Sequence, residues 1–210
     1  MSIRRIAALL LGAGLMTGCA VSDKGISALP DPPVILTVAD VTVSDGTEYT
    51  VTAGYGPTGS TYRAVYPDRE VHYTTDGATA ISHDNDGPTP LPDDYVVYIQ
   101  SQLFHAQVAE FSELNDGVQL QRSCGEGIES CREKIGNVGS PRFGIRYLAL
   151  QTDPRTGIPY ALLAYHKDGS ATVARFSDWR TENGMPLAYR VTVEDGGKTY
   201  DYRYRSIEGL

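Results

Sequence analysis

Cysteine, tryptophan and histidine are scarce in this 210-residue chain, which has three Cys, one Trp and four His. No His stands three or four residues from another and no HExxH motif occurs, so the spacing predicts no zinc site. The chain also lacks the G-x-S-x-G and S-x-x-K motifs of serine hydrolases. We therefore expect no enzyme, no cofactor and no metal; a periplasmic hydrolase built from residues distant in sequence is the least favoured alternative.

Basic residues are also few, with 18 Lys and Arg against 26 Asp and Glu. Removal of residues 1–18 takes away Arg4 and Arg5 and leaves 16 basic and 26 acidic side chains, a net charge of −10. Binding to nucleic acid or to anionic headgroups requires Lys and Arg against phosphates. The composition therefore argues against nucleic acid and against electrostatic adsorption to a membrane surface.

The N-terminus has the layout of an export signal. Two arginines precede an apolar run over residues 6–16, which is eleven residues long and contains two glycines. A transmembrane helix needs about 20 apolar residues. The pattern therefore predicts a signal peptide over residues 1–18 rather than an uncleaved membrane anchor.

Cys19 stands where the cleavage site of this signal would end, directly after Thr17 and Gly18. The arrangement resembles the lipobox of bacterial lipoproteins, with Met16 in the place where Leu is usual. The resemblance implies a diacylglyceryl and fatty-acyl modification, such as palmitate, on Cys19, which becomes the mature N-terminus; a plain secreted protein is the alternative. Ala20, rather than Asp, follows the cysteine, and the resemblance then favours the periplasmic face of the outer membrane.

The other two cysteines, Cys124 and Cys131, lie close together in the segment CGEGIESC. An even pair at short spacing in an exported protein predicts a disulfide. Free thiols are the second reading. A metal or redox pair is the third, and it is disfavoured because the spacing exceeds CxxC.

Residues 19–33 have the composition of a flexible tether, and residues 34–210 are predicted to form a single β-rich domain. Val34, Leu36 and Val38 alternate at the start of this domain, as in a strand, whereas GYGPTGS (54–60) and the segment 83–92 are predicted to be loops. One helix is expected near residues 94–113, capped by Asp93 or Asp94. Its apolar positions are predicted to be Val96, Ile99, Leu103 and Ala106.

The last seventy residues contain five strand-like runs separated by turn sequences at 153–157, 167–170, 182–186 and 195–197. Short turns between successive strands predict an antiparallel meander. The order of motifs here, with Phe176, Asp178 and Trp179 followed by a turn containing Gly184 and Pro186, resembles the C-terminal part of the LolA/LolB-like lipoprotein carriers. The resemblance covers roughly residues 158–207. It implies a curved, unclosed antiparallel barrel with helices over its concave face and an apolar cavity for acyl chains.

One acidic loop, SHDNDGPTPLPD, has oxygen ligands at a spacing close to that of an EF-hand. Asp84, Asp86 and Asp93 would take ligand positions around Gly87. Two prolines and the missing Glu favour a solvated turn over a calcium site.

These observations predict a mainly β fold, a twisted antiparallel sheet or partly closed barrel with about one helix. The expected function is non-catalytic binding of a lipid or another hydrophobic ligand, and the alternative is a structural module that binds another envelope protein. Candidate lining residues are Trp179, Tyr200, Tyr202 and Tyr204, because the last strand alternates aromatic and charged side chains. Core packing is the competing role for each of them.

Overall fold

The computed structural model describes residues 35–56, 58–105, 108, 118–122, 131–136, 145–182 and 184–209. The signal peptide 1–18, Cys19, the tether and Cys124 lie outside these residues. Within them the chain forms one 13-stranded antiparallel sheet and a short helix, α1. The predicted fold class is confirmed. The strands and the helix are Ile35–Val43 (β1), Glu48–Gly56 (β2), Gly59–Val65 (β3), Glu70–Thr75 (β4), Ala80–Asp84 (β5), Gly87–Leu91 (β6), Asp94–Ser101 (α1), Val118–Arg122 (β7), Cys131–Gly136 (β8), Ile145–Thr152 (β9), Pro159–His166 (β10), Ala171–Glu182 (β11), Met185–Asp195 (β12) and Lys198–Glu208 (β13).

The strand order is β6-β5-β4-β3-β2-β1-β13-β12-β11-β10-β9-β8-β7. Strands that follow one another in sequence are neighbours in the sheet, except β6 and β7, which lie at its two edges. β1 and β13, from the two ends of the described chain, pair at the centre of the sheet. The predicted C-terminal meander is confirmed as β9 to β13.

The sheet has two chemically different faces. The face that α1 covers, called the inner face, carries the main hydrophobic core, which includes Val41, Tyr62, Val191 and Tyr202. The opposite, outer face carries cross-strand ion pairs. They are Arg63–Glu70, Arg175–Glu194, Arg190–Asp201 and Arg205–Asp40. These pairs are largely solvent-exposed and each adds little stability, so burial on the inner face holds the sheet together.

Two predicted loops are strands in the structure, and these predictions are wrong. Residues 54–56 and 59–60 belong to the strands of the β2–β3 hairpin, in which Gly56 pairs with Gly59. Gly59 has φ 149°, and a Cβ there would lie 2.1 Å from the Thr75 carbonyl oxygen of β4. Glycine thus serves close strand packing here, rather than loop flexibility.

The segment 83–92 contains the β5–β6 hairpin instead of a loop. The Asp84 carboxylate accepts the backbone N–H of Asp86 and closes the turn before Gly87. Pro88 and Pro90 fit into β6 because this strand lies at the end of the sheet, where fewer N–H donors are needed.

The helix begins at Asp94, as predicted, but α1 ends at Ser101 rather than near residue 113. Asp93 occupies the N-cap position without a side-chain capping hydrogen bond. Phe104, His105 and Val108 are again helical, and residues 109–113 lie outside the described residues. Val96, Ile99 and Leu103 are buried at the predicted spacing, whereas Ala106 is not described. Within the described ranges, no helix has the length and apolar character needed to cross a membrane.

Candidate ligand-binding pocket

Helix α1 lies on the inner face of the sheet, against β3 and β4. Val96 and Ile99 are fully buried and fix the helix to the core. Tyr95 and Tyr98 are three residues apart, so both lie on a neighbouring side of the same helix. This arrangement sets two tyrosine rings at the border between the helix and β4.

A pocket of about 370 Å³ opens at this border. A volume of this size lies in the range of small-molecule sites, about 300–1,000 Å³. Four tyrosines, one valine and two charged residues line it. They are Tyr66, Arg69, Val71, Tyr73, Asp94, Tyr95 and Tyr98. The lining is aromatic and carries one charge of each sign, so the pocket suits an amphipathic ligand.

Three of the tyrosine rings stand nearly perpendicular to one another. The rings of Tyr73 and Tyr95 have centroids 5.4 Å apart at an interplanar angle of 81°. Tyr98 lies 6.5 Å from Tyr73 at 70°, and 6.1 Å from Tyr95 at 65°. We call these three residues the tyrosine corner. Edge-to-face contacts of this kind stabilise the arrangement in the absence of ligand.

The corner is tied to the core through Tyr62. The Tyr98 hydroxyl donates a hydrogen bond to the Tyr62 hydroxyl over 3.1 Å. Burial raises the pKa of both phenols above the ordinary value of 10. Both hydroxyls therefore remain neutral at physiological pH and act as hydrogen-bonding groups rather than as bases.

Arg69 is the positively charged side chain of the pocket. Its guanidinium carbon lies 4.3 Å from the centre of the Tyr66 ring, and Tyr66 stacks on Tyr49 at 4.6 Å. The guanidinium is 3.7 Å from the Asp68 carboxylate, but both side chains are more than half exposed, which makes this ion pair weak. Arg69 is thus held in place by aromatic stacking and keeps N–H groups available for an anion.

The lining residues predicted from the sequence lie elsewhere on the inner face. Tyr202 and Tyr204 are buried in the core: the Tyr202 hydroxyl donates a hydrogen bond to Gln102, and the Tyr204 ring meets His105 edge-on at 4.7 Å. Trp179 and Tyr200 are partly buried against the same core. None of these four residues lines the described pocket, and their role in ligand binding stays a prediction.

The sequence analysis missed the tyrosines that do line it. The segment YVVYI does contain Tyr95 and Tyr98 at helical spacing, and this spacing could have identified one wall. Tyr66 directly follows β3 and Tyr73 lies within β4, and their approach to the helix depends on tertiary structure.

The described residues hold no group of three or more His, Cys, Asp or Glu side chains suited to a metal ion. Asp84 and Asp86 belong to the turn between β5 and β6. The sequence analysis favoured such a turn over a calcium site. His72 and His83 stack on neighbouring strands with centroids 4.8 Å apart. Nε2 of His72 shares a hydrogen bond with the Thr61 hydroxyl, and Nε2 of His83 shares one with the Thr74 hydroxyl.

Solved structures share this fold at low sequence identity. A LolA superfamily protein from Nitrosomonas europaea has a TM-score of 0.57 and 15% identity, over 99% of this chain and 93% of that chain. A putative outer membrane lipoprotein-sorting protein domain from Vibrio parahaemolyticus has a TM-score of 0.55 and 8% identity, over 83% and 84%. A DUF1329 family protein from Desulfovibrio piger has a TM-score of 0.55 and 10% identity, over 98% and 92%.

These similarities confirm that the chain has a LolA-like fold. No family model matches the sequence, and no curated protein matches it.

Proposed function

We propose that this protein is a lipid-anchored envelope protein that binds a lipid or another hydrophobic ligand without catalysing a reaction. The tyrosine-lined pocket between α1 and β4 carries the proposal. Its aromatic walls offer apolar contact, and its phenol hydroxyls and two charges offer a few directed polar contacts. This combination is typical of small-molecule binding sites.

The sequence supports an envelope location. Cys19 follows an export signal in the lipobox pattern, and triacylation of this residue would supply the apolar chains needed for stable anchoring. We place the protein at the periplasmic face of the outer membrane, on the strength of Ala20. The Vibrio parahaemolyticus protein of similar fold is described as a putative lipoprotein-sorting protein, which supports a carrier-type use of the same architecture.

The alternative, a module that docks another envelope protein, requires a broad apolar patch on the surface. Among the described residues, the large apolar side chains that are exposed are Val65 and Tyr98. Tyr98 belongs to the pocket. The ligand-binding function therefore rests on the pocket itself.

Binding of a fluorescent fatty acid tests the proposal. The soluble Cys19→Ser chain should bind the probe, and Tyr95→Leu should weaken binding at least fivefold because it removes one pocket wall. Tyr147→Leu is a matched control, since Tyr147 stacks on Tyr165 in β9 and β10, outside the pocket. Absence of binding by the delipidated Cys19→Ser chain would overturn the proposal, and so would equal losses in the two leucine variants.

A further inference from the structure

The tyrosine corner supplies three aromatic rings to one pocket. A cation is attracted to the face of an aromatic ring when it lies within about 6 Å of the centroid. Tyr73, Tyr95 and Tyr98 all line this pocket, and their ring centroids lie 5.4, 6.1 and 6.5 Å apart. A cation that enters the pocket therefore meets aromatic surface from more than one residue.

A carboxylate accompanies the rings. Asp94 lines the same pocket and precedes Tyr95 in the first turn of α1. Its side chain is exposed, so it can pair with a ligand cation without a large desolvation cost. Aromatic rings plus one carboxylate are the groups that recognise organic ammonium ions.

The opposite charge of the pocket is supplied by Arg69. Its guanidinium is held over Tyr66, and guanidinium groups bind phosphate oxygens through paired N–H donors. The pocket thus offers an ammonium-binding group and a phosphate-binding group within one small volume. A ligand that carries both charges close together satisfies both.

We propose that this pocket binds the headgroup of a zwitterionic phospholipid. The ammonium group lies in the tyrosine corner beside Asp94, and the phosphate contacts Arg69. This inference rests on the proposed function, because it assumes that the hydrophobic ligand enters this pocket, and it names the class of that ligand. Phosphocholine and phosphoethanolamine headgroups both qualify; the first relies on the rings, and the second also donates hydrogen bonds to the carboxylate.

Short-chain lipids with identical acyl chains separate headgroup recognition from apolar contact. The soluble Cys19→Ser chain is titrated, below the micelle concentration, with dihexanoyl phosphatidylcholine, phosphatidylethanolamine and phosphatidylglycerol. We expect the two ammonium lipids to bind about five- to tenfold more tightly than the glycerol lipid, as one or two cation–π contacts allow. Phosphocholine without acyl chains should bind at least tenfold more weakly than phosphatidylcholine.

Variants of the corner assign the preference to its residues. Tyr95→Leu should reduce the headgroup preference at least threefold, because it removes one of the three rings, whereas Tyr95→Phe, which keeps the ring face, should retain it. Asp94→Asn is an exposed substitution that leaves the core untouched, and it should reduce the preference about threefold. Arg69→Gln should weaken all three phospholipids without removing the choice among them.

Several results would overturn the inference. They are equal affinity for all three headgroups, a preference that Tyr95→Leu leaves unchanged, and phosphocholine that binds as tightly as the lipid. If the short-chain lipids bind equally while the fatty-acid probe still binds, only this inference fails. If neither the lipids nor the probe bind, the proposed function fails with it.

Discussion

The phenol of Tyr98 on α1 donates a hydrogen bond to the phenol of Tyr62 on β3, with 3.1 Å between the two oxygens. Tyr62 is completely buried, whereas Tyr98 is 40% exposed. The contact therefore links the sheet core to the wall of the pocket. It fixes the helix at the point where a ligand would bind.

Tyr98→Phe removes this link and keeps the ring. We expect a loss of about 1 kcal/mol in the free energy of unfolding, because a buried phenol loses its donor. Urea denaturation measures the change. Tyr95→Phe is the control, since the Tyr95 hydroxyl makes no side-chain hydrogen bond to another described residue, and it should change stability by less than about 0.5 kcal/mol. Equal losses in both variants would contradict a role for the Tyr98–Tyr62 bond.

We expect the free energy of unfolding to depend on pH through His105. Its ring is buried against Tyr204, Nε2 is 2.7 Å from the Ala188 carbonyl oxygen, and Nδ1 has no partner in the described part of the chain. Burial lowers the pKa of His105 to about 4, against an opposing effect of the Ala188 hydrogen bond. An unfolded histidine titrates near 6.5. The contribution of neutral His105 is thus complete above pH 6.5 and is lost as the pH falls toward 4.

The difference between the unfolded and the folded pKa of His105 corresponds to about 3 kcal/mol of unfolding free energy. This contribution is lost as the pH falls from 6.5 to 4. His105→Gln keeps a donor for Ala188 and cannot take a proton, so its unfolding free energy should fall less over this range. His72 contributes in the same direction, since burial and then the neighbouring His83 lower its pKa; some dependence on pH should therefore persist in the variant. Identical pH profiles for wild type and His105→Gln would refute the assignment.

The Cys124–Cys131 disulfide stays a prediction, and the position of Cys131 supports it. Cys131 is fully buried at the start of β8 and pairs in register with Arg122 at the end of β7. Cys124 follows Arg122 by two residues in the sequence. Exported protein, denatured without reductant, should react with maleimide at neither cysteine and at both after reduction. Full labelling before reduction would show free thiols.

The anchor is tested by acyl labelling. Cells that express the wild-type chain with an alkyne-tagged palmitate should yield labelled protein, and Cys19→Ser should yield none. Cys124→Ser is the control and should keep the label, because the lipobox pattern selects Cys19 alone. An unlabelled wild-type chain would exclude lipidation.

The sequence predicted the C-terminal half of the fold well because its signals are local. Turns rich in Gly and Asp separate alternating strands, and the Asp153 carboxylate indeed accepts the backbone N–H groups of Arg155 and Thr156 in the first of these turns. Antiparallel order follows directly from such short connections. The matched motif residue Asp178 has φ 51° within β11, a local conformation that Asp tolerates better than most residues.

The N-terminal half was harder to predict because its signals depend on tertiary contacts. The predicted alternation included Leu36 and Val38, but the buried residues of β1 include Ile35 and Thr37, on the opposite face. Where β1 pairs with β13, the register shifts between Val38 and Ala39. Pairing between the two ends of the described chain leaves no local trace in the sequence.

The pocket could not be predicted for the same reason. Its walls come from the β3–β4 turn, from β4 and from a helix that follows two further strands. The alternating tyrosines of β13 are prominent in the sequence, but Tyr202 and Tyr204 fill the core beneath residues 102–105. Aromatic alternation thus identified the inner face of the sheet without locating the pocket on it.

Native mass spectrometry tests the central claim of ligand binding most directly. The Cys19→Ser chain, purified from its host envelope under mild conditions, should carry a bound lipid, and Tyr95→Leu should carry much less of it than the Tyr147→Leu control. The mass of the bound species identifies the lipid. Protein that is consistently empty, and that takes up no fluorescent fatty acid, would contradict the account.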